Sequence, residues 1–375
     1  MKIVSLWVAE TMLFLLVASA AFGNENEFRW NDYIDIAGGV TGMLQGSPSS
    51  SMFTPDDDGT ISASVAFDIE LTVRTSESGT VYVLFESGNG SGLDYHIPTF
   101  SGFNDTVNDD FKLHLSEAWY EHSLGEKVRI RGGKIDITTD FDANAIANSE
   151  TDQFLSGGFV NNPAAAFPDN GFGAMIWVSP NDLFDIGFGY TDAAAEWDDS
   201  NVFKNPFVIM ELDLKPNIAG KQGNYRFYGW YNGEDHERFD FSDDPFSSNY
   251  GFGVSADQEV AEGVTVFARY GHQRSVVSEI EHAWSAGLEI SGKFSRREED
   301  SIGLAFGQAI VGDDLKSLFL EDDINFGNEH HLEIYYKIKA NNHLDISPNL
   351  QWVKNPCGEN ENSAWAAGLR ARVSF

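Results

Sequence analysis

An all-β, up-and-down antiparallel barrel of about sixteen bilayer-spanning strands is the fold this sequence predicts. Three patterns carry the prediction. Apolar and polar residues alternate with period two in one segment after another, the connections between those segments alternate long and short, and the chain ends on an alternating strand closed by Phe375.

The N-terminus comes first. Met1 and Lys2 precede an apolar stretch over 12–21 and a run of small residues at 18–21. This is the pattern of a secretory signal peptide, and cleavage is expected after Ala20 or Gly23. The segment 1–23 is thus expected to be removed and 24–375 to form one barrel domain. The apolar stretch is too short to span a bilayer, and no other long uncharged one follows, which excludes a helical membrane protein.

The clearest strand is 61–73, where Ile61, Ala63, Val65, Phe67, Ile69, Leu71 and Val73 share one face. The other face carries Ser, Ala, Asp, Glu and Thr, so this strand can meet lipid without burying a charge. The same alternation recurs near 33–42, 80–87, 111–123, 128–137, 172–178, 183–191, 207–214, 223–231, 249–256, 264–272, 283–292, 300–309, 329–339, 343–353 and 365–375. Long connections such as 43–60, 88–110 and 138–171 are separated by short ones such as 74–79, 179–182 and 340–342. Long external loops, short periplasmic turns and an even strand count are the signature of an outer-membrane barrel. A soluble sandwich has no reason to obey that parity. A mean hydropathy of -0.27 fits, because alternating strands average to mildly polar. The single cysteine, Cys357, excludes an internal disulfide and is read as incidental.

The connection 138–171 is the longest and becomes the third external loop. A loop of that length in a compact fold is usually functional, and it is expected to fold inward and set the bore. Its acids Asp140, Asp142, Glu150 and Asp152 would then lie at the constriction. If Val128 and Ile130 face lipid, Arg129 and Arg131 face the lumen. The same parity turns Arg226, Lys337, Lys339, Arg370 and Arg372 inward, since arginine in lipid is destabilising by roughly 2–4 kcal/mol near the midplane. Tyr228 and Trp230 share parity with Arg226, and Tyr335 with Glu333 and Lys337. Aromatic planes beside charged side chains suit the apolar face and hydroxyl rim of a sugar.

The net charge of -34 sits largely in predicted loops, as at 56–58, 196–199, 234–237, 243–244 and 313–323. Such a surface disfavours anionic solutes, and nucleic acid is excluded as a partner.

Several segments resemble the carbohydrate-selective outer-membrane porins of the OprB type. They are HLEIYYKI at 331–338, LDISPNLQWVKNP at 344–356, the closing run 368–375, EAWY at 117–120, GKID at 133–136 with Phe141, and GNYRFYGW at 223–230. The resemblance implies a sixteen-stranded porin for passive diffusion of glucose and related sugars. Its rivals are a general or cation-preferring porin and, from another class, a secreted β-rich carbohydrate-binding protein. No enzyme is expected: the nine histidines lack the HExxH spacing and no GxSxG occurs. No cofactor or metal is expected either. Expected partners are sugars, outer-membrane lipid and lipopolysaccharide, and the barrel-assembly machinery through the C-terminal strand and Phe375; monomer and homo-oligomer stay open.

Overall fold

The computed structural model describes residues 28–31, 33–48, 59–106, 111–195, 204–240, 242, 244–292, 297–319, 326–360 and 362–375. The expected signal segment and the acid runs at 56–58, 196–199 and 321–323 lie outside the described residues.

Sixteen long strands form one sheet. They are β1 (Ile34–Ser47), β2 (Thr60–Ser76), β3 (Gly79–Asn89), β4 (His114–Leu124), β5 (Val128–Ile135), β6 (Gly171–Asn181), β7 (Phe184–Asp192) and β8 (Pro206–Leu214), then β9 (Lys221–Glu237), β10 (Phe246–Ala261), β11 (Val264–Gln273), β12 (Ile280–Ser291), β13 (Ser301–Val311), β14 (Glu329–Asn341), β15 (Leu344–Lys354) and β16 (Ser363–Ser374). Every one of them falls on a segment that the alternation predicted. Each pairs antiparallel with its successor. β16 returns to β1 in a register running from Ala367↔Gly46 to Ser374↔Gly39. Phe375 adds the last rung: its N–H donates to the Gly38 carbonyl at 3.1 Å, and the Gly38 N–H donates back at 3.2 Å. The sheet is therefore closed, which leaves no edge strand to satisfy in lipid.

The short connections, such as 125–127 and 262–263, lie at one rim. Gly125 (φ 65°) and Gly263 (φ 71°) give them the left-handed backbone that a tight turn needs. The long connections lie at the other rim.

The two faces invert the order of a soluble protein. Ile130, Ile186, Phe188, Met210, Leu212, Phe227, Leu304, Ile334 and Leu350 are exposed on the outside. Gln45, Glu211, Ser255, Asp257, Arg269 and Gln351 are buried on the inside. Apolar side chains outward and polar ones inward suit lipid outside and a wet lumen within. The apolar clusters inside the barrel have one common cause, which is loop packed on wall. Phe141 from the third long loop sits with Trp177, Phe207, Tyr228 and Trp230. Phe154 and Phe159 from the same loop sit with Phe267 and Tyr335. Leu93, Ile97 and Phe103, from the loop between β3 and β4, sit with Val353 and Ala366. Fully burying side chains of this kind contributes about 1.5–3 kcal/mol each, so both loops are held as parts of the fold.

Candidate functional site: the loop-lined lumen

The third long loop, 136–170, starts with a side-chain turn. The Asp136 carboxylate accepts the Thr138 N–H at 2.8 Å and its hydroxyl at 2.7 Å. Asp140 is then delivered between Arg129 (2.7 Å) and Arg131 (2.6 Å). Glu121 of β4 meets the same two guanidiniums at 3.0 and 2.9 Å. Arg131 is buried, whereas the Arg129 side chain keeps 36% exposure.

Asp142 follows with φ 55°, a left-handed position that aspartate tolerates better than most residues. Its N–H donates to Glu211 at 2.9 Å, and its carboxylate receives Arg269 Nε at 3.0 Å. Arg269 also donates to the carbonyls of Asp142 (2.8 Å), Ala147 (3.1 Å) and Phe159 (2.6 Å). Further along, Asp257 binds Arg226 at 2.7 Å and accepts the Ala145 N–H at 3.3 Å. Arg370 donates to the carbonyls of Glu150 (2.6 Å) and Gln153 (2.9 Å). Glu333 accepts the N–H groups of Leu155 (2.8 Å) and Ser156 (3.0 Å), and Asn349 donates to it at 2.6 Å. Strands β8 to β11 and β14 to β16 thus grip the loop from across the barrel.

The loop between β3 and β4 is anchored beside it. Glu329 accepts the N–H groups of Phe100 (2.8 Å) and Ser101 (2.9 Å), and Gln351 donates to the Phe103 carbonyl at 2.9 Å. The Gly158 N–H joins the two loops by donating to the Ser101 carbonyl at 2.7 Å. Inward positions 329, 331 and 333 of β14 therefore dock both loops. The Ser101 hydroxyl touches both His331 and Glu329, but Glu329 receives the serine hydroxyl instead of the imidazole N–H. That is not the order of a nucleophile relay.

The residues expected to face solute separate into two groups. Tyr228, Trp230, Tyr335, Glu333, Arg131, Arg226 and Arg370 are buried, which corrects the expectation that aromatic planes at 228, 230 and 335 lie open to a solute. The physical reason is the register. Tyr228 pairs with Gly253, Trp230 with Gly251 and Tyr335 with Gly303, so the rings lie flat on glycines. A Cβ at Gly253 would stand 2.2 Å from the Tyr228 ring. The loop covers the other side; Asn162, for example, donates to the Tyr228 hydroxyl at 2.7 Å. Among the loop acids Asp140 and Asp142 are taken up in ion pairs. The accessible group keeps Arg129, Asp152 facing Lys337 at 3.8 Å, and Arg372 facing Asp68 at 3.3 Å. Lys339 pairs with Asp345 at 3.3 Å.

A row on the opposite wall escaped the sequence reading. Tyr82 of β3 stacks on Trp119 of β4 at 4.9 Å, and the Arg131 guanidinium lies 4.0 Å over the Trp119 ring. Glu70 accepts the Tyr82 hydroxyl at 3.0 Å, and Glu117 accepts the Trp119 indole N–H at 3.0 Å. Both rings are half-buried on the inner face. The available signal was parity, because Trp119 alternates with the inward acids Glu117 and Glu121.

Burial pushes the loop carboxyl of Glu150 up to about 7 and that of Asp142 up to about 6, the latter against the opposing pull of Arg269. An acid raised on docking stabilises the docked state fully below its ordinary value, and that stability fades as pH rises through the raised value. The docked loop is therefore expected to be tightest near pH 4.5 and to loosen towards 7. Hydrogen-exchange protection of the 138–171 loop, corrected for the intrinsic pH dependence of exchange, should fall from about pH 4 to about pH 8 in the native chain. The fall should be shallower in Glu150→Gln.

A closed sixteen-stranded barrel with an apolar exterior and a polar lumen holding docked loops defines the class as an outer-membrane porin. Residues 53–375 match the carbohydrate-selective porin, OprB family, and the chain belongs to that family. The resemblance seen in the sequence is thereby borne out. Porin B of Pseudomonas aeruginosa is 26% identical over 208 residues, which are 46% of this chain and 46% of that one. The match thus spans about half the length of that porin. An uncharacterized protein of Aquifex aeolicus is 28% identical over 273 residues, 72% of this chain and 71% of its own length. A structure of Pseudomonas putida OprB at high pH superposes with a TM-score of 0.79, over 92% of this chain and 94% of that one, at 20% identity. That likeness concerns the fold.

Proposed function

We propose that this porin carries glucose and related mono- or oligosaccharides by passive, concentration-driven diffusion, without chemistry or an energy source. The observation that carries this reading is the Tyr82–Trp119 stack under Arg131, flanked by Glu70 and Glu117. It offers two half-exposed aromatic rings with charged hydrogen-bonding groups at their rim, which suits the apolar and hydroxyl sides of a pyranose. Asp152 and Lys337 stand at the loop side, and Arg372 reaches Asp68 two residues from Glu70 on β2, so the 138–171 loop acts as the constriction. Binding stays weak, as useful flux demands. The rest of the proposal is that the segment 1–23 directs export, and that the C-terminal strand ending in Phe375 contacts the barrel-assembly machinery. Outer-membrane lipid and lipopolysaccharide then meet the apolar outer face.

Swelling of liposomes holding the refolded chain tests the sugar role. Glucose is expected to enter faster than an uncharged non-sugar of similar size, and Trp119→Ala should weaken that preference about three- to tenfold, the worth of one aromatic face. Equal rates in both proteins would remove the stack from the sugar path.

A second reading, a cation preference, is favoured by a specific pairing: Asp68 and Glu86 stand directly opposite each other on β2 and β3. Like charges in that position are destabilising; Arg372 balances Asp68 at 3.3 Å, which leaves the Glu86 charge for a passing cation. Replacing both Arg129 and Arg131 by alanine frees Glu121 and Asp140 as net negative charge. It should raise cation over anion permeability, read as a shift of reversal potential in a salt gradient, and should weaken block by glucose.

A further inference from the structure

The outer, lipid-facing side of β11 and β12 carries a second cluster near the long-loop rim. His272 and His282 are direct cross-strand partners, with their rings stacked at 4.5 Å and 26°. The pairing of β12 with β13 slips between Ile280 and His282, and this bulge re-aims the extra residue, Glu281. The Glu281 carboxylate comes to lie 3.6 Å from His282 Nε2. One donor atom from each of the three residues lies within 4.8 Å of the other two.

Two further observations point to a ligand. His272 Nδ1 is buried and has no hydrogen-bond partner. His282 Nδ1 is held at 2.8 Å by the Tyr270 hydroxyl, which orients the ring and leaves Nε2 towards Glu281. The neighbours Tyr250, Phe252, Tyr270 and Trp284 are exposed aromatics of the kind that mark a bilayer interface. At that boundary an uncompensated carboxylate and an orphaned imidazole nitrogen are both costly. One divalent cation satisfies both.

We propose that His272, Glu281 and His282 form a site for a zinc-class divalent transition-metal ion on the outer rim of the barrel, with a fourth position open to water or to a phosphate oxygen of the outer leaflet. Two imidazoles and one carboxylate are the donor set of zinc and its neighbours, whereas calcium and magnesium take oxygen. Ligands at about 2.1 Å from a tetrahedral ion stand about 3.4 Å apart. The Glu281–His282 separation is already of that size, and His272 closes the remainder by side-chain rotation. Metal binding clamps β11 to the bulged start of β12 and fixes the connection between them.

The test uses the full chain refolded in detergent, titrated with zinc chloride by calorimetry and with cobalt(II) by visible absorption. A single ion per chain and the intense bands of tetrahedral cobalt are expected. His272→Ala and His282→Ala should abolish both. Tyr270→Phe, which removes no ligand, should weaken binding about tenfold, as loss of a group orienting a metal-bound histidine does. Retained heat-modifiable mobility on gels shows that each variant is folded. No saturable binding by the folded native chain would overturn the site. Equal affinity in native chain and histidine variants would overturn it too, placing the metal on the loop acids.

Discussion

Replacing Arg269 with alanine is expected to destabilise the docked third loop by about 3–5 kcal/mol, because it strands a buried carboxylate without its counter-charge. Arg269 Nε serves Asp142, while its two terminal nitrogens serve the carbonyls of Asp142, Ala147 and Phe159. One truncation therefore removes an ion pair and three carbonyl contacts spread over residues 142–159 of the loop. The single-channel current should turn noisy and its mean conductance should rise, and a protease should now cut within 138–171. The double variant Arg269→Ala with Asp142→Asn should recover part of the lost stability, because the stranded charge is gone although the donors are still missing. Full loss in the double variant would mean that the guanidinium's packing and carbonyl contacts, not the ion pair, carry the effect.

The second large effect is expected at Glu333. Its two oxygens accept the Leu155 and Ser156 N–H groups, and Asn349 donates to the same carboxylate. Glu333→Gln keeps the shape but turns an NH2 group towards a backbone N–H, which leaves buried donors unpaired at about 1–3 kcal/mol each. The loop should loosen near 150–156, next to the carbonyls held by Arg370, while residues 142, 147 and 159 on either side stay gripped by Arg269. The result expected is current flicker between two levels, with little loss of barrel unfolding temperature. Asn349→Ala, which removes one donor and keeps the carboxylate, should do much less. Identical behaviour of Glu333→Gln and the native chain would show that the carboxylate does not secure the loop.

Both residues show where the sequence stops being legible. The strands were readable because period-two alternation is local: Val128 and Ile130 against Arg129 and Arg131 needs no knowledge of the partner strand. Which inward side chain meets solute is not local. Tyr228 and Tyr82 have the same inward parity, yet Tyr228 pairs with Gly253 and lies under the loop, while Tyr82 pairs with Trp119 and stays half-open. Only the register between strands distinguishes them. Arg269 shares its inward parity in plain view with Phe267 and Gly271, but its importance comes from a loop more than a hundred residues earlier in the chain. The inward docking of the loop between β3 and β4 had a signal that went unused: Leu93, Ile97 and Phe103 are apolar residues in a connection that water alone would not favour. The bulge at Glu281 was beyond reach altogether, because a strand's alternation does not reveal where its neighbour slips.

The central claim is a passive channel with a weak sugar site, and ion current through the refolded chain in a planar bilayer, with glucose titrated in, tests it most directly. The account predicts stepwise conductance that glucose reduces saturably and that an uncharged non-sugar of the same size leaves unchanged. Conductance indifferent to glucose, or no conductance from folded and inserted protein, would contradict it.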